Sequence, residues 1–194
     1  MADGRTSGEK KSRTALLLID VINDLDFEGS ESLVRLAEPM AKRLRALKRR
    51  ARAAGIPTIY INDNFGKWRS DFHATVEYCL KKDVPGHNVA RMLKPDGKDY
   101  FVLKPKQSAF FGTTLDTLLR DLGTKNVILT GIAGDNCVLF SANDAYLREF
   151  KLHIPSDCVV SETEAENQYA LQLMKKVVKA DITPSTELDI EALG

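Results

Sequence analysis

Residues 127–137, VILTGIAGDNC, decide how this chain folds. The stretch begins with apolar residues typical of a buried strand, Gly131 and Gly134 interrupt it, and a helical pattern begins near Asp135. A strand that leads through glycines into a helix is typical of a parallel α/β sheet. Cys137 then lies at the helix start, where the positive end of the helix dipole favours the thiolate.

Two other apolar runs also end in a single ionisable residue. Residues 15–19 end at Asp20, and residues 100–103 end at Lys104. The carboxyl ends of parallel strands meet at one edge of the sheet, where such folds bind ligands. An acid, a base and a thiol at that edge form a candidate site for covalent hydrolysis. Each residue also has a plainer interpretation, because Asp20 can cap a turn, Lys104 can be a surface lysine and Cys137 can be a small buried apolar residue.

Strand and helix patterns alternate along the rest of the chain. This order predicts an α/β fold with three layers (α/β/α), in which a doubly wound, six-stranded, mostly parallel sheet has helices on both faces. Ser30 and Gly55 can begin and end the first helix, and Ser161 and Glu164 have capping-box spacing before the last long helix. The predicted strands are residues 14–20, 57–61, 100–103, 126–130, one within 152–160, and a short sixth near 181–183.

Length and composition indicate one soluble domain. The chain has 194 residues, 43% of them hydrophobic, and a net charge of +1, which gives no electrostatic case for nucleic-acid binding. Residues 1–13 are expected to form a disordered tail without the apolar core of a secretory signal, and residues 14–194 to form the domain. No apolar run approaches the roughly 20 residues that span a bilayer. Three cysteines without metal-like pairing, Cys79, Cys137 and Cys158, favour a reduced, cytoplasmic setting.

Three motifs make the chain resemble the isochorismatase-like hydrolases, also called the cysteine hydrolase superfamily. They are LLLIDVINDL with Asp20, YFVLKPKQSAFFGT with Lys104, and LTGIAGDNCV with Cys137, and the similarity covers nearly the whole chain after residue 13. The resemblance implies a catalytic triad. Cys137 attacks a carbonyl, Asp20 takes the thiol proton and passes it to the leaving amine, and Lys104 stabilises the pair. It also implies a cis peptide bond between Ile132 and Ala133, which aims the Ala133 amide, with that of Cys137, at a developing oxyanion.

The segment after the second strand departs from a pattern of this superfamily. Its nicotinamidases bind a metal through an Asp-X-His pair plus another histidine, whereas residues 62–65 here contain Asp63 and place Phe65 where the histidine would be. We therefore predict no metal and no cofactor, because the ligand spacing is broken. Isochorismatases proper hydrolyse a vinyl ether without needing a thiol, so Cys137 favours cleavage of a C–N bond.

The predicted substrate pocket draws on the segments that follow the strands. Trp68, with Phe110 and Phe111, can wall a small apolar pocket over the thiol, although Trp68 can equally anchor a long loop. Asn23 can orient the substrate or cap a turn. The predicted pocket residues are Asn23, Asp63, Phe65, Trp68, Phe110 and Phe111.

These features predict a metal-independent cysteine hydrolase that cleaves a C–N bond of a small amide or ureido compound through a covalent thioester. Two alternatives stay open, an isochorismatase-type vinyl-ether hydrolase and a non-catalytic ligand-binding or scaffolding protein of the same fold. The expected partners are a small-molecule substrate and further copies of the chain, since superfamily members of this size commonly associate and residues 62–99 offer surface. Neither nucleic acid nor a membrane is an expected partner.

Overall fold

The computed structural model describes residues 11–64 and 71–194. Its centre is strand β1 (Thr14–Ile19), TALLLI, in which every residue is buried. A strand that is apolar on both faces needs a cover on both faces, as in parallel sheets that lie between layers of helices.

Five further strands form the sheet around β1. They are β2 (Thr58–Asp63), β3 (Tyr100–Lys104), β4 (Asn126–Ile132), β5 (Lys151–His153) and β6 (Val159–Val160). In the described part of the chain every pairing of these strands is parallel, in the order β3-β2-β1-β4-β5, with β6 also paired to β4. The chain therefore winds outward from β1 in both directions, as the sequence predicts.

Helices cover both faces of the sheet. Leu16 and Leu18 of β1 face one core, and Leu17 and Ile19 face the other. The predicted three-layer α/β/α fold is confirmed. Within the described ranges, no helix is long and apolar enough to cross a membrane. The first core is covered by α1 (Glu31–Ala53), α2 (Phe72–Cys79), α3 (His87–Met92) and α7 (Ile190–Leu193), and the second by α4 (Leu115–Asp121), α5 (Leu139–Leu147) and α6 (Glu164–Val177).

The edge of the sheet beyond β4 differs from the sequence prediction. The pattern predicts one strand within residues 152–160 and a sixth strand near 181–183. Instead, β5 and β6 both lie against β4, and Asp181 forms only an isolated parallel bridge to His153. Pro155 lies between the two strands, and proline cannot donate a ladder hydrogen bond, so the predicted single strand is interrupted there.

Residues 11–13 belong to the fold and not to the predicted disordered tail. The amide of Ser12 donates to the carbonyl of Leu122 at 2.9 Å, and the carbonyl of Arg13 accepts two amides at the entry to β4, both at 2.8 Å. These hydrogen bonds tie the segment to the start of the sheet. The rest of the predicted tail, residues 1–10, lies outside the described residues.

The helix caps show where local sequence patterns misled the prediction. Thr163 and Glu166 form the capping box of α6, in place of the predicted pair Ser161 and Glu164. Ser30 precedes α1 without a side-chain cap hydrogen bond. The predicted pair has the right spacing, but Ser161 is wholly buried and its hydroxyl is used elsewhere, so the cap shifts by two residues.

Candidate active site

The carboxyl edge of the sheet between β1 and β4 carries the candidate site. The winding direction of the chain reverses at this point, which is where open α/β sheets bind ligands. Asp20 directly follows β1, and Lys104 is the last residue of β3. Cys137 lies in a π-helical turn, Gly134–Val138, that follows β4. The structure thus brings the three predicted catalytic residues to one edge.

Asp20 turns the chain out of β1. Its φ of +52° lies in the left-handed region, which aspartate tolerates better than most residues. Its Oδ1 accepts the amide of Asp63 at 2.7 Å, and its Oδ2 lies 2.9 Å from Nζ of Lys104. With 8% of its side chain exposed, the carboxylate is fixed by β2 on one oxygen and by the lysine on the other.

Lys104 reaches Asp20 across the end of β2. The backbones of β3 and β1 are about 9–10 Å apart, two strand spacings, which only a long side chain can bridge. Lys104 is wholly buried, and its Nζ lies 3.2 Å from Oδ2 of Asp63 and 3.4 Å from Sγ of Cys137. Burial alone would lower the pKa of Lys104, but the attraction of its anionic neighbours outweighs burial and raises that pKa. The lysine therefore remains a cation.

The end of β4 lies very close to the end of β1. Gly131 pairs with Ile19, and a Cβ atom on Gly131 would lie 2.0 Å from the carbonyl oxygen of Ile19. Its φ of +115° also disfavours any residue with a side chain. The peptide bond that follows, between Ile132 and Ala133, is cis. Only glycine permits this close approach of β4 to β1. The approach brings the turn that follows β4 next to Asp20.

Cys137 is a partly buried free cysteine within that turn. Its Sγ lies 3.4 Å from Nζ of Lys104, and the same ammonium contacts the carboxylate of Asp20. The hydroxyl of Ser141 donates to the carbonyl of Cys137 at 2.6 Å and accepts the amide of Ala109 at 2.9 Å. Ser141 therefore links the turn of Cys137 to the loop that follows Lys104.

The surroundings of Cys137 favour the protonated form of its thiol. Burial, together with the negative charge of Asp20, raises the pKa of Cys137 to about 12, and Lys104 opposes this rise. The sequence predicts that Lys104 favours the thiolate, and Lys104 does lower the pKa of the thiol, but burial and the carboxylate of Asp20 outweigh it. Burial also raises the pKa of Asp20, which makes its carboxylate a better proton acceptor.

The remaining predicted pocket residues lie in different environments. Asp63 has 33% of its side chain exposed beside Lys104, and Phe111 is 60% exposed. Phe65 and Trp68 lie outside the described residues, so their predicted roles in the pocket remain predictions.

Phe110 lies in the core, and Asn23 makes the turn that the sequence offers as an alternative to a role in the pocket. Phe110 is 4% exposed and packs in the core beneath α4 to α6, with its ring 6.0 Å from that of Phe150 and the guanidinium of Arg148 lying 4.9 Å from its centre. Asn23 caps a turn, since its Oδ1 accepts the amide of Leu25 at 2.8 Å. Core packing buries the ring of Phe110, and the Oδ1 atom of Asn23 finds its hydrogen-bond partner within the local turn.

Asp63 is the residue that matches an acidic metal ligand of the nicotinamidases. Its Oδ2 lies 3.2 Å from Nζ of Lys104, so a metal cation at this oxygen would stand against an ammonium group. Within residues 11–64 and 71–194, no group of three histidine, cysteine, aspartate or glutamate side chains is placed to hold a metal. The described residues therefore do not fit the metal site of those relatives.

Two serines that hold the turn of Cys137 are missing from the predicted site residues. Ser141 lies one helical turn after Cys137, and the hydroxyl of Ser161 accepts the amide of Asp135 at 3.1 Å. The position of Ser161 could have identified it as a site residue. Ser161 directly follows β6 and therefore also lies at the carboxyl edge of the sheet.

Replacing Lys104 with methionine should slow alkylation of Cys137 by iodoacetamide at pH 9 at least about tenfold. Methionine has a similar length but no charge, so it no longer lowers the pKa of the thiol, and a rise of one pKa unit reduces the thiolate tenfold. The measurement is the mass of the modified peptide against time. Lys48→Met is the matched control, since Lys48 is also buried and lies 2.6 Å from Asp99. An equal rate in Lys104→Met and Lys48→Met would contradict an electrostatic action of Lys104 on the thiol.

Comparisons with known proteins place the chain in a family. The family model of the Isochorismatase domain matches residues 14–186. The uncharacterized isochorismatase family protein YaaI of Bacillus subtilis is 40% identical over 178 residues, which cover 92% of this chain and 97% of that protein. The ureidoacrylate amidohydrolase RutB of Acinetobacter baylyi is 27% identical over 165 residues, which cover 71% of this chain and 66% of RutB.

The fold comparison agrees with the sequence comparison. The crystal structure of N-carbamoylsarcosine amidase from Thermoplasma acidophilum matches with a TM-score of 0.72 at 26% identity, covering 91% of this chain and 99% of that one. The family model spans most of the chain, and the relative at 40% identity aligns over nearly its full length. The chain therefore belongs to the isochorismatase family of hydrolases.

Proposed function

We propose that this protein is a metal-independent cysteine hydrolase that cleaves a C–N bond of a small amide or ureido compound through a thioester. The observation that carries the proposal is the position of the Lys104 ammonium, 2.9 Å from Asp20 and 3.4 Å from the sulfur of Cys137. A thiol, a proton acceptor and a cation in contact supply what covalent hydrolysis needs. The relatives named ureidoacrylate amidohydrolase and N-carbamoylsarcosine amidase support an amide or ureido substrate.

The first half of the proposed reaction forms the thioester. Asp20 accepts the proton of the Cys137 thiol while the sulfur attacks the carbonyl carbon and a C–S bond forms. Because the resting pKa of the thiol is about 12, proton transfer accompanies the attack instead of preceding it. The tetrahedral intermediate then collapses, the C–N bond breaks, and Asp20 gives the proton to the leaving nitrogen.

The second half restores the free thiol. Asp20 accepts a proton from water while the water oxygen attacks the thioester carbon. The C–S bond then breaks, the acid product leaves, and the proton on Asp20 returns to the sulfur of Cys137. Lys104 stays positive throughout, and its charge offsets the negative charge on either the carboxylate or the sulfur.

In the same proposal, the amides of Ala133 and Cys137 bind the oxyanion of the intermediate. Two neighbouring amides of the turn are already engaged, because Asn136 and Val138 donate to the carbonyl of Ala133 at 3.1 and 3.0 Å. These hydrogen bonds remove two competing donors and order the backbone around the sulfur. Preorganised amides of this kind stabilise a developing oxyanion in acyl transfer.

A screen of small amides and ureido acids for ammonia release tests the proposal, with Cys137→Ala as the blank. Release that requires Cys137 would support C–N hydrolysis. The panel also includes a vinyl ether of the isochorismate type, and its hydrolysis by both wild type and Cys137→Ala would favour the vinyl-ether alternative. A chain that binds compounds of the panel but hydrolyses none of them would match the ligand-binding alternative.

Metal chelators should leave the C–N hydrolysis unchanged. The physical reason is that Phe65 stands where the Asp-X-His pair would need its histidine, and that Oδ2 of Asp63 already contacts the ammonium of Lys104. The measurement is the rate of ammonia release before and after dialysis against EDTA, with elemental analysis of the same samples. A metal content near one per chain, with activity lost on dialysis and restored by zinc or iron, would contradict this expectation.

A further inference from the structure

Two buried polar side chains outside the triad contact the turn of Cys137. Ser161 follows β6 and is wholly buried, and Asn167 lies in α6 with 9% of its surface exposed. Neither residue is part of the triad. We name this pair, Ser161 and Asn167, the outer bracket.

Hydrogen bonds connect the outer bracket to the nucleophile's turn. The amide of Asp135, two residues before Cys137, donates to Oγ of Ser161 at 3.1 Å. Oγ of Ser161 in turn donates to Oδ1 of Asn167 at 3.5 Å, and Nδ2 of Asn167 donates to the carbonyl of Val159 at 3.0 Å. Because both side chains are buried, water does not readily replace a hydrogen bond that is lost here.

Gly134 shows how closely the outer bracket approaches the turn. A Cβ atom at this position would lie 2.4 Å from Oδ1 of Asn167, 2.8 Å from Cγ1 of Val159 and 3.1 Å from Oγ of Ser161. Gly134 is not in the left-handed region, so its backbone conformation does not require glycine. Glycine is required at this position because the outer bracket lies so close to the turn that no side chain fits between them.

We propose that Ser161 and Asn167 are positioning residues that hold the turn so that Cys137 meets its reaction partners. This inference rests on the proposed function of Cys137 as a nucleophile. During the reaction the sulfur must stay within reach of the Asp20 carboxylate and keep its 3.4 Å contact with Lys104, whose ammonium also binds Asp20. A displacement of about 1 Å at a reacting atom can cost about 10²-fold in rate, so a rigid support behind the turn affects the chemistry directly.

Ser161→Ala tests the proposal, because it releases the Asp135 amide and removes little volume. We expect kcat for C–N hydrolysis to fall about 10–100-fold while KM stays within about threefold. We also expect alkylation of Cys137 at pH 9 to become at least about threefold faster, since a loosened turn admits water and burial is the main cause of the raised thiol pKa. Asn167→Ala should shift both quantities in the same directions, and it serves as the second variant.

Ser185→Ala is the matched control. Ser185 is 4% exposed, and its hydroxyl donates to Asp157 at 2.8 Å, so this variant also loses one buried serine hydrogen bond. We expect a similar drop in melting temperature but little change in kcat or alkylation rate. If Ser161→Ala and Asn167→Ala match Ser185→Ala in both kinetic quantities, the positioning role is wrong. If the wild type hydrolyses no C–N substrate, the proposed function fails, and the alkylation rates alone decide the positioning role.

Discussion

Cys137→Ala is expected to abolish C–N hydrolysis, with kcat at least about 10⁴-fold below wild type and the fold intact. The sulfur supplies the electron pair that forms the thioester, and alanine has no substitute for it. The other two cysteines cannot take over. Cys79 is 1% exposed and Cys158 is wholly buried, whereas Cys137 is only partly buried, so a substrate cannot reach either of the other two thiols. Ammonia release under single-turnover conditions measures the loss, and circular dichroism checks the fold.

Two further variants sharpen this test. Cys137→Ser should also be nearly inactive. A serine hydroxyl is a weaker acid than a thiol, and Asp20 is a base suited to removing the more acidic proton of the thiol. Cys79→Ala is the matched control, since it removes a cysteine that packs in the core beneath α1 to α3. We expect its kcat to stay near wild type. Comparable activity of Cys137→Ala and Cys79→Ala would rule out nucleophilic catalysis by Cys137.

Asp20→Asn should lower kcat by at least about 10²-fold, the usual scale of general acid–base catalysis. Asparagine keeps the shape and can still accept the Asp63 amide, which Oδ1 of Asp20 accepts at 2.7 Å. It cannot take the proton of a thiol whose pKa is about 12, so the attack by Cys137 loses its base. Its amide nitrogen would also face the ammonium of Lys104, donor against donor, where Oδ2 now accepts at 2.9 Å.

Asp99→Asn is the matched control for this prediction. Asp99 has 3% of its side chain exposed and lies 2.6 Å from Nζ of Lys48, so the variant also breaks an ion pair between a buried aspartate and a buried lysine. We expect both variants to lose stability, because removing one partner leaves the other charge buried. Only Asp20→Asn should lose turnover. Equal kcat values in the two variants would show that Asp20 acts on stability alone.

Much of the site could be predicted because local sequence patterns show both its residue types and the alternation of strands and helices that carries them. Apolar runs that end in Asp20 and Lys104, and a third that leads through glycines to Cys137, identify parallel strands and their carboxyl ends. Parallel strands place those ends at one edge of the sheet whatever the details of packing, so the meeting of an acid, a base and a thiol follows from the order of elements.

The protonation state of the Cys137 thiol could not be predicted in the same way. A helix start and a nearby lysine both favour a thiolate at Cys137, yet burial and the carboxylate of Asp20 raise its pKa. Desolvation depends on how much surface the whole fold removes from water, and no local pattern reports it. The resemblance already implies that Asp20 takes the thiol proton, and the raised thiol pKa of the packed site adds that, in the proposed mechanism, this transfer accompanies the attack.

What the sequence determined by itself is the alternation of strands and helices and the three residues at the strand ends, because hydrophobic periodicity is a local property. The tertiary structure decided which side chain fills which space. Phe110 packs in the core instead of over the thiol, and Ser161 supports the turn of Cys137 instead of capping α6. Lys104 crosses the end of β2 to reach Asp20 because strand order, known only from the assembled sheet, sets the distance its side chain must span.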